Sequence, residues 1–124
     1  MSSRKITVLV SEPGKFPKTR RIVPDMEAMR EIVGRNPKET DPFSEPVAIV
    51  YDASGDELRL PGRYLLRNGS GEPYAVIRGT FLAVGVYDGN YISLTDAQII
   101  WLLTVFRRDR PPGVERRNPG NFDI

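Results

Sequence analysis

Apolar residues come in short bursts separated by Pro and Gly, and the spacing within each burst predicts its element. Ile6-Thr7-Val8-Leu9-Val10 is rich in β-branched residues and runs into Glu12-Pro13-Gly14, as a strand closed by a turn would. Arg20-Arg21-Ile22-Val23 reads as a short second strand, pairing with the first across a loop that holds Lys15 and Lys18. After Pro24, Asp25 is placed as an N-cap, Met26, Met29, Ile32 and Val33 recur at helical spacing, and Gly34 suits the residue that ends a helix. A helix over about 25–33 follows, and its spacing favours core packing for the two Met residues over an adaptable binding surface.

From 35 to 46 the chain is polar and holds Pro37, Pro42 and Pro46, which predicts a loop. Val47-Ala48-Ile49-Val50-Tyr51 is a strong strand, expected to form a β-hairpin with 57–60 around the turn 52–56. Pro61-Gly62 breaks the pattern, Arg63-Tyr64-Leu65-Leu66-Arg67 is short and mixed, and Asn68-Gly69-Ser70-Gly71 is a turn. Residues 74–84 form the longest β-like run, interrupted by Gly79, and Val86-Tyr87 and Tyr91-Ile92 flank the hairpin turn Asp88-Gly89-Asn90. Thr95 and Gln98 make a capping box, with Leu94 and Ile99 as its hydrophobic staple. The helix they open is apolar around most of its circumference through Phe106, which implies deep burial or a second contact, as with another subunit. No internal repeat is present. The elements predict an α+β fold: one domain over 1–106, a twisted, mostly antiparallel sheet packed against two helices, and a basic, Pro-rich irregular arm over 107–124.

Composition narrows the chemistry. A chain of 124 residues with 40% apolar content is the size of one core, and eleven Gly with eleven Pro favour many short elements. There is no Cys and no His, which removes disulfides, thiolate and imidazole metal sites and every nucleophile served by a His base. The formal charge is only +2, but residues 1–23 carry six basic groups against the single acid Glu12. The cations are mostly Arg, which suits bidentate recognition of carboxylate or phosphate and stacking on aromatic rings. Without a membrane span or a signal-peptide pattern, a cytoplasmic protein is expected.

Candidate sites are then few. Asp56-Glu57 point to opposite faces if on a strand, residues 52–56 lack EF-hand spacing, and Gly69-Ser70-Gly71 lacks the Lys and helix start of a phosphate loop. Asp96 already supplies the negative charge that the second helix N-terminus would attract. No catalytic residue, metal site or cofactor is expected. What remains is a set of Arg and Tyr residues, Arg63, Tyr64, Arg67, Tyr74, Arg78 and Tyr87, with Tyr91 beside them, in which Arg would clamp a phosphate while a ring stacks on a base. The plainer reading has the Tyr residues capping the sheet edge and the Arg residues pairing with surrounding acids. A basic group, Lys15, Lys18, Arg20 and Arg21, is the alternative, for nucleic acid.

The order of several short motifs resembles a known family. These are Val8-Leu9-Val10-Ser11-Glu12-Pro13-Gly14-Lys15, Ile32-Val33-Gly34, Asp41-Pro42-Phe43 before Pro46-Val47-Ala48-Ile49-Val50, and Leu60-Pro61 with Arg67. They continue with Gly71-Glu72-Pro73-Tyr74 and Ile77, Gly79-Thr80-Phe81, and Ser93-Leu94-Thr95-Asp96 with Gln98-Ile99. Over about residues 5–106 the chain resembles domain of unknown function 3846, a family of small proteins encoded largely by phages, plasmids and bacteria that carry mobile elements. Many relatives have a strand-like segment after Gly34, whereas Arg35-Asn36-Pro37-Lys38-Glu39-Thr40 is polar here, so no added strand is expected. The resemblance carries no active site and implies an accessory protein that acts stoichiometrically on a host. The expected function is non-catalytic: a homo-oligomer that sequesters an anionic, nucleotide-like signal, such as one of antiviral defence. The alternatives are a protein-binding inhibitor of a host enzyme and a nucleic-acid-binding module using the basic N-terminal segment and tail.

Overall fold

The first apolar run forms β1 (Ile6–Ser11), and two residues set the turn after it. Pro13 presets the first turn position, Gly14 takes φ 76° at the second, and the Lys15 amide donates to the Glu12 carbonyl at 3.2 Å, as in a type II turn. β2 (Lys18–Ile22) then returns antiparallel, with Val10 opposite Lys18 and Ile6 opposite Ile22. Lys18 is therefore in the strand rather than in the loop predicted for it. The computed structural model describes residues 4–54, 62–67 and 72–108, with side chains described except at 62–67, 73–75 and 107–108.

Helix α1 (Met26–Val33) starts where Asp25 accepts the Ala28 amide at 2.9 Å and stops at Gly34, whose φ of 136° strains any residue with a side chain. The remaining elements are β3 (Pro37–Thr40), β4 (Val47–Asp52), β5 (Gly62–Arg67), β6 (Pro73–Arg78), β7 (Phe81–Tyr87), β8 (Asn90–Ile92) and α2 (Asp96–Arg108). The main sheet has the order β2-β1-β7-β4-β3 with β8 also on β7, and β5–β6 form a separate two-stranded sheet. Every described pairing is antiparallel, so the α+β expectation holds.

Side chains of the central strands alternate between two cores. Leu9, Val47, Ile49, Phe81 and Ala83 face α2 with Leu102, Val105, Phe106 and Ile77 of β6. Val8, Val10, Ala48, Val50, Leu82 and Val84 face α1 with Met29 and Val33. Because both faces of β1, β4 and β7 are covered, these strands read as unbroken apolar runs rather than alternating ones. Each such burial of a large aliphatic side chain is worth about 1.5–3 kcal/mol.

β7 has β4 along one edge, while its other edge is shared by β1 at residues 81–83 and β8 at 85–87. Where β1 leaves β7, Thr7 turns to the chain after β8: its amide donates to Ser93 Oγ at 2.9 Å and its carbonyl accepts the Leu94 amide at 3.0 Å. A Cβ on Gly85 would stand 2.9 Å from the Ile92 carbonyl oxygen, so only glycine lets β8 cross there. The predicted hairpin turn is present, with positive φ at both Asp88 and Gly89.

Two expectations are corrected. The loop predicted over 35–46 contains β3, pairing Pro37 with Asp52 through Thr40 with Ile49. β3 is an edge strand whose side chains are exposed or half-buried, so it needs no apolar alternation, and Pro37 sits at its first residue where a missing N–H is tolerated. The predicted hairpin of 47–51 with 57–60 is the second: β4 has β3 on one edge and β7 on the other, leaving no edge for that partner. Residues 57–60 themselves lie outside the described residues.

The capping box is formed, with the Gln98 amide donating to Thr95 Oγ1 at 3.1 Å and the Thr95 amide to Gln98 Oε1 at 2.9 Å. α2 runs to Arg108, two residues beyond its predicted end, and 109–124 of the predicted arm lie outside the described residues. Deep burial does not extend around the whole helix, since Ile100 is 66% exposed. Among the described residues no helix is long and apolar enough to cross a membrane.

Candidate binding surfaces

Five of the six residues in the predicted Arg and Tyr set fall on the β5–β6 hairpin. Its register opposes Gly62 to Arg78, Tyr64 to Ile77 and Arg67 to Pro73, with irregularities between Gly62 and Tyr64 and between Leu66 and Arg67. Arg63 and Tyr64 thus lie on the strand at the Arg78 end, while Arg67 and Tyr74 lie at the other end. Tyr74 and Arg78 are four positions apart, about 13 Å of strand. The hairpin is anchored by Ile77, which is buried in the α2-side core, and Arg78 beside it is half-buried. The side chains of Arg63, Tyr64, Arg67 and Tyr74 lie outside the described set.

Tyr87 is set apart from the hairpin base. It closes β7, 72% exposed, at the end opposite Phe81, where the hairpin joins. Six strand residues are about 20 Å.

Tyr91 has a structural role. It lies on the α1 face of β8, and its hydroxyl donates to the Glu39 carboxylate of β3. Burial first, then the Glu39 hydrogen bond and charge, then the Asp41 charge, hold this phenol in its protonated form well above the usual tyrosine range. A phenol so held is no general base. Instead it ties two strands that β7 and β4 separate.

The basic group divides as well. Lys15 pairs with Glu12 at 3.3 Å, and Arg21 donates to the Lys5 carbonyl at 3.2 Å from the opposite face of β2. Lys18 and Arg20, paired with Val10 and Val8, share their face of the hairpin and are both exposed. They border a hollow of about 370 Å³ together with Phe16, which is 80% exposed. Phe16 was no candidate from the sequence, although an aromatic ring between Lys15 and Pro17-Lys18 in a turn segment is itself a signal.

A larger cleft of about 620 Å³ lies between Arg4, Lys5, Asp25, Tyr91 and Ser93. Three of its polar side chains already serve the fold: Asp25 caps α1, Ser93 accepts from Thr7, and Tyr91 holds Glu39. Among the described residues no group of three or more carboxylates is placed to hold a metal ion.

These observations define an α+β domain with a helix on each face of an antiparallel sheet and basic residues on two of its hairpins. A family model described as Domain of unknown function (DUF3846) matches residues 6–107. The chain belongs to that family, as the order of its motifs implied. No curated protein and no solved structure matches it.

Proposed function

We propose that the chain is a non-catalytic accessory protein of a phage or mobile element, which interferes with a host process by binding and holding an anionic, nucleotide-like signal. The observation that carries this reading is the β5–β6 register, which gathers Arg63, Tyr64, Arg67, Tyr74 and Arg78 on one small hairpin apart from the main sheet. Guanidinium groups grip phosphate bidentately and phenol rings stack on bases, so this composition suits a nucleotide better than a simple anion. The absence of Cys and His from the chain supports holding over turnover. Tyr87, at the far end of β7, is left out of this site.

The test is a thermal-shift screen against linear and cyclic nucleotides and ADP-ribose-like molecules, with an Arg63→Ala, Arg67→Ala, Arg78→Ala triple variant beside wild type. A ligand at a hundred times its dissociation constant stabilises the fold by about 2.7 kcal/mol. A shift in wild type that the variant lacks, with the ligand recovered intact, is the expected result. No shift with any ligand would sink the reading.

A further inference from the structure

The hollow at the β1–β2 hairpin has features that strand-edge protection does not explain. Cations on an edge strand discourage pairing with other sheets, and Lys18 and Arg20 would satisfy that need alone. An aromatic ring left 80% exposed beside them would not. The ring's position is also built rather than loose. The type II turn at 12–15 fixes the chain before Phe16, and Pro17 restricts Phe16 itself to extended backbone.

The charge at this place is available. Glu12 is matched by Lys15, while Lys18 and Arg20 have no ion-pair partner among the described residues. Being two residues apart on one face of β2, they stand about 7 Å from each other. The hollow's volume of about 370 Å³ is within the range of small-ligand pockets, and its floor includes the apolar Val10.

We infer that this hollow binds a nucleotide with its phosphate, the base stacked on Phe16 and the phosphate held by Lys18 and Arg20, and that its occupant is a segment of single-stranded nucleic acid. A duplex hides its base faces and calls for many cations, whereas a single strand offers a base to one exposed ring and a phosphate to a few. The site is separate from the β5–β6 hairpin and does not depend on it.

The experiment is fluorescence anisotropy of the full chain with a labelled ten-residue oligothymidylate across a salt series. Wild type binds, and Phe16→Ala weakens binding on the order of five- to a hundredfold, as loss of one stacked base does. A Lys18→Ala, Arg20→Ala double variant flattens the salt slope by about 0.7, the contribution of one phosphate contact on a single strand. The Arg63, Arg67, Arg78 triple variant keeps wild-type affinity, which separates this site from the one proposed above. All substituted residues of the β1–β2 site are exposed, so unchanged melting curves show that the fold persists.

The inference is overturned if wild type fails to bind at low salt, or if binding ignores both β1–β2 variants. Thymidine monophosphate competing as well as the oligomer would rule out a strand as the occupant. A polyglutamate peptide displacing the probe equally well, with Phe16→Ala neutral, would make this a surface for acidic protein segments.

Discussion

On the α1 side, a helix of eight residues covers the sheet with only Met29 and Val33 fully withdrawn from solvent, and named polar ties hold its surroundings. Asp25 caps the helix, the Asp52 side chain lies against Gly34, and Tyr91 reaches Glu39. On the α2 side the closure is by volume. Phe81 meets Phe106 edge to face at 5.1 Å, Phe43 meets Trp101 at 4.9 Å, and Leu102 and Val105 are buried beneath them. A short helix can seal one face of a sheet when polar contacts fix its ends, whereas the other face relies on aromatic bulk.

The contrast can be broken by substitution. Phe81→Ala, in the middle of the aromatic side, is expected to cost about 3–5 kcal/mol in urea unfolding, the loss typical of a large ring removed from a core. A loss below about 1 kcal/mol would mean that the α2 side collapses around the gap and is not held by bulk.

Gly34→Ala probes the other side with a smaller effect. An alanine there has strained backbone and a Cβ that would fall 2.1 Å from Asp52 Oδ2, so the carboxylate must leave a position where Oδ1 accepts the Ser54 amide at 2.8 Å. A cost of about 1–3 kcal/mol is expected from the backbone strain, with the steric part added. In an Asp52→Ala background the same change should cost less, since the clash is gone and only strain remains. Equal costs in the two backgrounds would show that the Gly34–Asp52 contact is no tie.

Tyr91→Phe is the mildest change, at about 1 kcal/mol near neutral pH for one half-exposed hydrogen bond. Its pH dependence is more telling than its size. The folded phenol ionises at higher pH than the unfolded one, so its contribution is complete below the ordinary tyrosine value of about 10 and is lost as pH rises beyond it. The stability gap between wild type and Tyr91→Phe should therefore narrow in alkali. A gap that stays constant above pH 10 would remove the Tyr91–Glu39 tie from the α1 side.

Much of this organisation is written locally. The capping box at Thr95, the Asp25 and Gly34 ends of α1, and the turn at Asp88-Gly89 each depend on residues within a few positions, and each is where local chemistry puts it. What local reading missed is set by partners distant in the chain. β3 is a strand because β4 offers it an edge, and no side-chain pattern within 37–40 announces that. β4 itself looked like half of a tight hairpin until β7 claimed the other edge. The candidate surfaces follow the same division. Arg78 is brought opposite Gly62 by register alone, and Tyr91 meets a carboxylate 52 residues away. The Phe16 ring in a turn segment is legible in the sequence, but its exposure beside Lys18 and Arg20 is set by the fold.

The forked edge of β7 also bears on how the chain can be made. β1–β2 and β3–β4 are neighbours in sequence and can pair as soon as each is synthesised, but β1 and β4 touch no common strand until β7 arrives between them. A nascent chain that stops before Phe81 holds three separate hairpins, β1–β2, β3–β4 and β5–β6, but no joined main sheet, with both cores open to water. The slow, long-range step of closing the sheet is thereby postponed until most of the domain has emerged.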